Sequence, residues 1–150
     1  MIMTEHVGEV LAIATRSVRR GPMFETRQVE AYGDGCLEGD HGSSSRRGLT
    51  LLAEQQWRQV MSQLGVDLPW HTRRANLLIG ADTLAPVIGK IIHIGMVSVH
   101  VHAETKPCGE MDRYCPGLRE ALTANCRAGV YGHILNSGRI RVGDAVTVES

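Results

Sequence analysis

A chain of 150 residues, 43% hydrophobic and 21% charged, is long enough for one well-buried domain and too short for two of ordinary size. Sixteen basic against sixteen acidic side chains give a formal net charge of +0, which excludes a general nucleic-acid binder held by excess cation. The longest uncharged stretch, 91–103, has 13 residues and three histidines, too short and too polar for a bilayer span, so no membrane partner is expected.

Apolar blocks rich in β-branched residues and bounded by glycine predict strands at 7–14, 28–32, 77–79, 91–94, 96–103, 130–135 and 145–148. Between the second and third of these, Trp57, Val60, Met61 and Leu64 recur at helical spacing, predicting a helix over 53–64 that lies apolar side down on the sheet. A shorter helix over 118–126 follows Pro116 and Gly117, with Leu118, Ala121 and Leu122 on one side. Near the end, 138–146 reads as a hairpin with Gly143-Asp144 at its turn. No repeat or linker divides the chain. The expected fold is one domain over 1–150, mainly β with a few short helices, arranged as a barrel or a sandwich.

Four cysteines, Cys36, Cys108, Cys115 and Cys126, accompany an N-terminus without a cationic region followed by an apolar run. Reduced thiols in the cytoplasm are the expectation. Cys108 stands out because it leaves a strong strand in the run Lys106-Pro107-Cys108-Gly109. Proline fixes the approach and glycine permits a sharp turn beyond the sulfur. Lys106 beside it favours the thiolate, the form that attacks, carries sulfur or binds metal. The plainer alternative is a cysteine packed as a small apolar side chain, the expectation for Cys36, Cys115 and Cys126.

The cations are lopsided: fourteen arginines against two lysines. Arginine is the forked binder of phosphate and carboxylate. Arg73 and Arg74 stand with Asn76 just before the strand 77–79, where a pocket could receive two guanidinium groups and an amide. Arg46 and Arg47 follow the serines of 43–45 and precede Thr50, a second group of anion-binding donors. A solvated loop explains either group as well. On the strand 96–103, Val97, Val99, Val101 and Ala103 take one face, leaving Ser98, His100 and His102 on the other. With Cys108, His100 and His102 could form a zinc or iron site, although a polar outer face accounts for them equally. ATP and dinucleotide loops are absent, as are the nucleophile-elbow and zincin motifs.

Taken in order, several pieces resemble the MOSC domain, the family named after the C-terminal domain of molybdenum cofactor sulfurases. They are Gly21-Pro22-Met23, the stretch from Gly35 to His41, Arg47 to Leu52, Arg74-Ala75-Asn76-Leu77, Gly95, Glu104, Pro107-Cys108 and the hairpin from Gly138 to Asp144. The resemblance implies a mixed β-barrel, closed or partly open, that handles the molybdenum cofactor, a molybdopterin carrying molybdenum. It implies that Cys108 carries sulfur as a persulfide or ligates molybdenum, and that Arg74 and Asn76 help hold the pterin and its phosphate. Arg47, Thr50 and Lys106 are the supporting candidates. These 150 residues hold no counterpart of the pyridoxal phosphate domain of full-length sulfurases, nor of the N-terminal β domain of reductase-type relatives. Sulfur or electrons are therefore expected from a partner, such as a cysteine desulfurase or a molybdoenzyme. Besides sulfur carriage, two roles stay open: molybdenum-dependent reduction of N-hydroxylated compounds, and non-enzymatic delivery of sulfur or cofactor.

Overall fold

The computed structural model describes residues 3–18, 21–41 and 48–150. Among them the β-branched runs become β1 (Thr4–Thr15), β2 (Phe24–Thr26), β3 (Gln28–Ala31), β4 (Leu49–Ala53) and β5 (Leu77–Ile79). The second half supplies β6 (Ile91–Ile94), β7 (Val97–Glu104), β8 (Val130–Ile134), β9 (Gly138–Arg141) and β10 (Ala145–Glu149). Three α-helices, α1 (Glu54–Leu64), α2 (Met111–Tyr114) and α3 (Leu118–Thr123), and short 3-10 turns at Trp70–Arg73, Ala85–Val87 and Ala124–Cys126 complete the regular structure of the described residues.

Seven strands in the order β10-β6-β7-β8-β4-β5-β1 close into a barrel, because β1 pairs with β10 as well as with β5. Closure depends on the length of β1. Its first half pairs with β10 and its second half with β5 and β2, and the register slips between His6 and Gly8 and again between Val10 and Ala12. Such bulges bend and twist a strand, letting one strand serve both edges of a curling sheet. β2 extends the sheet beyond β1, and β3 pairs with β9 as a separate ribbon.

The barrel is mixed through a single parallel pair, β4 and β5, joined by α1. Parallel neighbours need a crossover, and the helix that makes it covers one face of both strands. Leu49, Leu51, Leu77 and Ile79 therefore point into the barrel, while Leu52 and Leu78 pack outside it with Trp57, Val60 and Met61 of α1 and Leu118 and Leu122 of α3. Burial on both faces explains why the sequence pattern does not reveal β4: Leu-Thr-Leu-Leu-Ala has no alternation and runs straight into the helix. Gly65, with φ +66°, ends α1 in the left-handed conformation that glycine adopts without steric cost. The expected second helix is shorter than 118–126: α3 stops at Thr123, and Asn125 and Cys126 both take positive φ.

Along β7, Val97, Val99 and Val101 enter the core as expected. Ala103 does not. Val101 pairs with Gly132 but Ala103 with Tyr131, so the register slips at His102 and the alternation breaks there.

Candidate functional site

A cleft of about 440 Å³ opens where five distant segments meet: the end of β1, the turn around residues 38–41, the start of β4, the approach to β5, and the exit of β7 into α2. Its lining includes Arg16, Asp40, His41, Thr50, Arg73, Arg74, Asn76, Thr105, Lys106 and Cys108. Five sequence candidates, Thr50, Arg74, Asn76, Lys106 and Cys108, thus share one cavity although they span 59 positions from Thr50 to Cys108, both ends counted. Arg47 lies outside the described residues, as do Arg46 and the serines of 43–45.

Asn76 forms the floor. Its Oδ1 accepts from the Thr50 N–H at 3.1 Å and the Thr50 hydroxyl at 3.3 Å, and its Nδ2 donates to Ala14 O at 3.1 Å. The backbone N–H of Asn76 donates to Thr50 Oγ1 at 3.0 Å in return. One buried amide therefore ties β1, β4 and β5 together at the cleft. Its polarity goes mainly into the protein, so Asn76 and Thr50 shape the site more than they reach into it.

The two adjacent arginines divide their roles. Arg73 is buried and donates from Nε to Ala128 O at 2.8 Å. That carbonyl is within reach because Gly129, at φ +88°, lets the chain pass so close to β4 that a Cβ there would run into Leu51 O. Arg74 is half-buried and has φ +68°, an unfavourable left-handed conformation for a side chain of its size, closing the tight turn Trp70–Arg73 with an N–H bond to His71 O at 2.8 Å. That turn presents consecutive guanidinium groups to one cavity.

Asp40 lines the same cleft, accepting the backbone N–H of Arg16 at 3.0 Å. Burial pushes its carboxyl above the ordinary carboxylate range, while the Arg16 N–H, the Asn76 amide and the charges of Arg16 and His41 pull it back down. Thr105 adds another buried polar group: its Oγ1 is sealed from solvent and has no hydrogen-bond partner among the described residues. Cys108 is exposed at the rim, three residues beyond it, and its carbonyl accepts the N–H of Met111 at 3.1 Å as the chain turns into α2.

Arg16 and Thr105 are cleft residues that the sequence does not single out, and Arg73 stands out there only as the neighbour of Arg74. Asp40 enters the sequence reading within the stretch from Gly35 to His41, with no role attached to its carboxylate. Arg16 follows β1 with no neighbouring signal, and Thr105 looks like a strand end. The other three cysteines behave differently from Cys108. Cys115 and Cys126 are buried, as expected, and burial followed by the charge of Glu104 pushes the Cys126 thiol up. Cys36 departs from the core-packing expectation: it lies half-buried in the 33–41 loop with its Sγ 3.9 Å from Asp40 O, and burial, then Asp40, raises its thiol.

The set His100, His102 and Cys108 does not assemble. The two imidazoles pack edge to face with centroids 4.8 Å apart on the outside of β7, beside Tyr131 and His133, and neither lines the cleft that holds Cys108. Among the described residues no three His, Cys, Asp or Glu side chains are grouped to hold a metal ion.

The fold and its cleft define a mixed β-barrel domain with a cation-lined cleft and a thiol on the rim. The chain belongs to the MOSC domain family, which matches residues 38–147, a family linked to the molybdenum cofactor. Its fold is similar to the YuaD protein of Bacillus subtilis, with a TM-score of 0.81 and 16% identity over 100% of this chain and 99% of that one. It is also similar to YiiM of Escherichia coli, with a TM-score of 0.71 and 14% identity over 94% of this chain and 69% of that one. At such identities the likeness establishes the fold. No curated relative matches the chain in sequence. Among the described residues no helix is long and apolar enough to cross a membrane.

Proposed function

We propose that this domain binds the molybdenum cofactor in the cleft and uses Cys108 as the sulfur carrier or the molybdenum ligand. The observation that carries the reading is the convergence of Thr50, Arg74, Asn76, Lys106 and Cys108 on one cavity. Its volume of about 440 Å³ falls within the usual size of a small-molecule site. Four cations, Arg16, Arg73, Arg74 and Lys106, face two carboxylates, Asp40 and Glu110, which suits an anionic, phosphate-bearing ligand.

The bound cofactor supplies a redox-active metal. The chain's own residues do the rest. Arg74 and Lys106 would neutralise the cofactor's phosphate, and Arg73, anchored on Ala128 O, would add a further positive charge. Asn76 and Thr50 keep β1, β4 and β5 in register beneath the ligand. Asp40 holds a proton more readily than an exposed carboxyl does and can return it at its Oδ atoms. Cys108, exposed, can be reached by a sulfur donor. Its thiolate attacks the outer sulfur of a donor persulfide, the new Sγ–S bond forms as the old S–S bond breaks, and the donor leaves as its thiolate. A cytoplasmic cysteine desulfurase is the class of partner that carries such a persulfide.

The test is protein purified from a molybdopterin-producing host, assayed for molybdenum, for released pterin and for a persulfide on the Cys108 peptide. Wild type should carry pterin, and Cys108→Ala should lose either the metal or the persulfide while melting at the wild-type temperature. Wild type free of pterin, molybdenum and persulfide would overturn the reading. Equal molybdenum in both proteins, with no persulfide on Cys108, would remove that residue's role.

A further inference from the structure

Outside the cleft, β6, β7 and β10 bring a nucleophile, a base and a carboxylate into one hydrogen-bonded chain. Ser98 and His93 are directly opposed across the β6–β7 pair, and β10 adds Glu149 from the other side of β6. Their neighbours Ile92, Ile94, Val97 and Val99 fill the barrel, so strand alternation puts Ser98 and His93 on the outer face. The Ser98 hydroxyl lies 2.9 Å from His93 Nδ1, and His93 Nε2 lies 2.6 Å from Glu149 Oε2. The ring and the carboxylate are only 28% and 22% exposed, so the pair is partly shielded from water. An ionised carboxylate only accepts, so Nε2 carries the proton, and in the neutral ring Nδ1 is left to accept from the serine. Each group thereby takes a defined role: nucleophile, general base, and orienting carboxylate.

We propose that Ser98, His93 and Glu149 form an acyl-accepting site for small activated carboxylic esters. Ser98 Oγ attacks the ester carbonyl while His93 Nδ1 takes the hydroxyl proton. The Oγ–carbon bond forms, the bond to the leaving alkoxide breaks, and the imidazolium, stabilised by Glu149, returns the proton to the departing oxygen. The surroundings determine the fate of the acyl group. The Ser98 N–H donates to Asn136 Oδ1 at 2.7 Å and so cannot stabilise a developing oxyanion. Acylation and the hydrolysis that follows it both pass through an oxyanion, so both are slow by enzyme standards, and the acyl-serine is the species to look for. Met96, 83% exposed, and Leu135 border Ser98 through the Asn136 Nδ2 bond to Met96 O and the Leu135 N–H bond to Ser98 O. They offer an apolar acyl group a resting surface, favouring butyryl over acetyl esters.

The experiment treats the full chain with p-nitrophenyl butyrate and follows, by peptide mapping, the acyl mass on Ser98 and, separately, on Cys108. Ser98 should be acylated in wild type. His93→Gln should slow that acylation on the order of a hundredfold and Glu149→Gln about tenfold, with Cys108 acylation unchanged in both as evidence of an intact fold. An unmodified Ser98 under conditions that acylate Cys108 overturns the proposal. So does a Ser98 rate that is the same in wild type and Glu149→Gln, or in wild type and His93→Gln, since a purely structural hydrogen-bond chain would change the melting temperature and leave Ser98 reactivity alone.

Discussion

The barrel interior and the cleft at its end are built on opposite rules. Inside, the wall consists of valine, isoleucine and leucine, many without exposed surface. At the cleft, three of the four buried polar or charged residues among the described ones are gathered: Arg73, Asn76 and Thr105, with Gln56 elsewhere. The interior gains stability from every methylene that leaves water. The cleft holds groups whose burial costs stability unless each finds a partner, and Asn76 finds several while Thr105 Oγ1 finds none among the described residues. Apolar packing and buried polar groups therefore occupy separate parts of one small domain, with β4 running through both and β5 beginning next to the cleft.

The contrast can be broken by substitution. Leu51→Ala opens a hole in the centre of the barrel wall and should lower the unfolding free energy by about 2–5 kcal/mol, measured by urea denaturation. A loss below about 1 kcal/mol would mean that the interior is less tightly packed than its burial implies. Thr105→Val should act in the opposite direction, because it keeps the shape and removes a buried hydroxyl without a partner. A gain of about 1 kcal/mol is expected from the same denaturation curves. Asp40→Asn gives the smallest effect and a pH signature. Because burial raises the Asp40 carboxyl, the folded state holds its proton more tightly than the unfolded chain does. The wild type therefore loses stability as pH rises from the ordinary aspartate range through the raised value. The variant should match wild type in acid and exceed it at neutral pH, and melting temperatures from pH 3 to 7 would show a flat difference if Asp40 were not buried enough to matter.

Much of the architecture was legible because local chemistry and final burial agree. The blocks 77–79 and 91–94 become β5 and β6 with the predicted bounds, and Trp57, Val60 and Met61 bury against the sheet as their spacing requires. Legibility failed where tertiary context outweighed pattern. β4 lost its alternation because a helix covers its outer face, and Ala103 left the core through a bulge that no residue type marks. β2, three exposed residues on the edge of the sheet, has no hydrophobic signature to read.

The site shows the same division. Pro107, Cys108 and Gly109 declare a positioned thiol, and Arg74 beside Asn76 declares anion and amide chemistry, because those properties belong to residue types in short spacing. That Asn76 would tie β1, β4 and β5 together, that Arg16 and Asp40 would line the same cavity, and that His100 and His102 would pack edge to face away from Cys108 depend on register and closure alone. Sequence by itself determined which residue types are available for chemistry, since charge, nucleophilicity and backbone freedom are local. Tertiary structure decided which of them meet, because the pairing of β1 with both β10 and β5 brings distant segments of the chain to one end of the barrel.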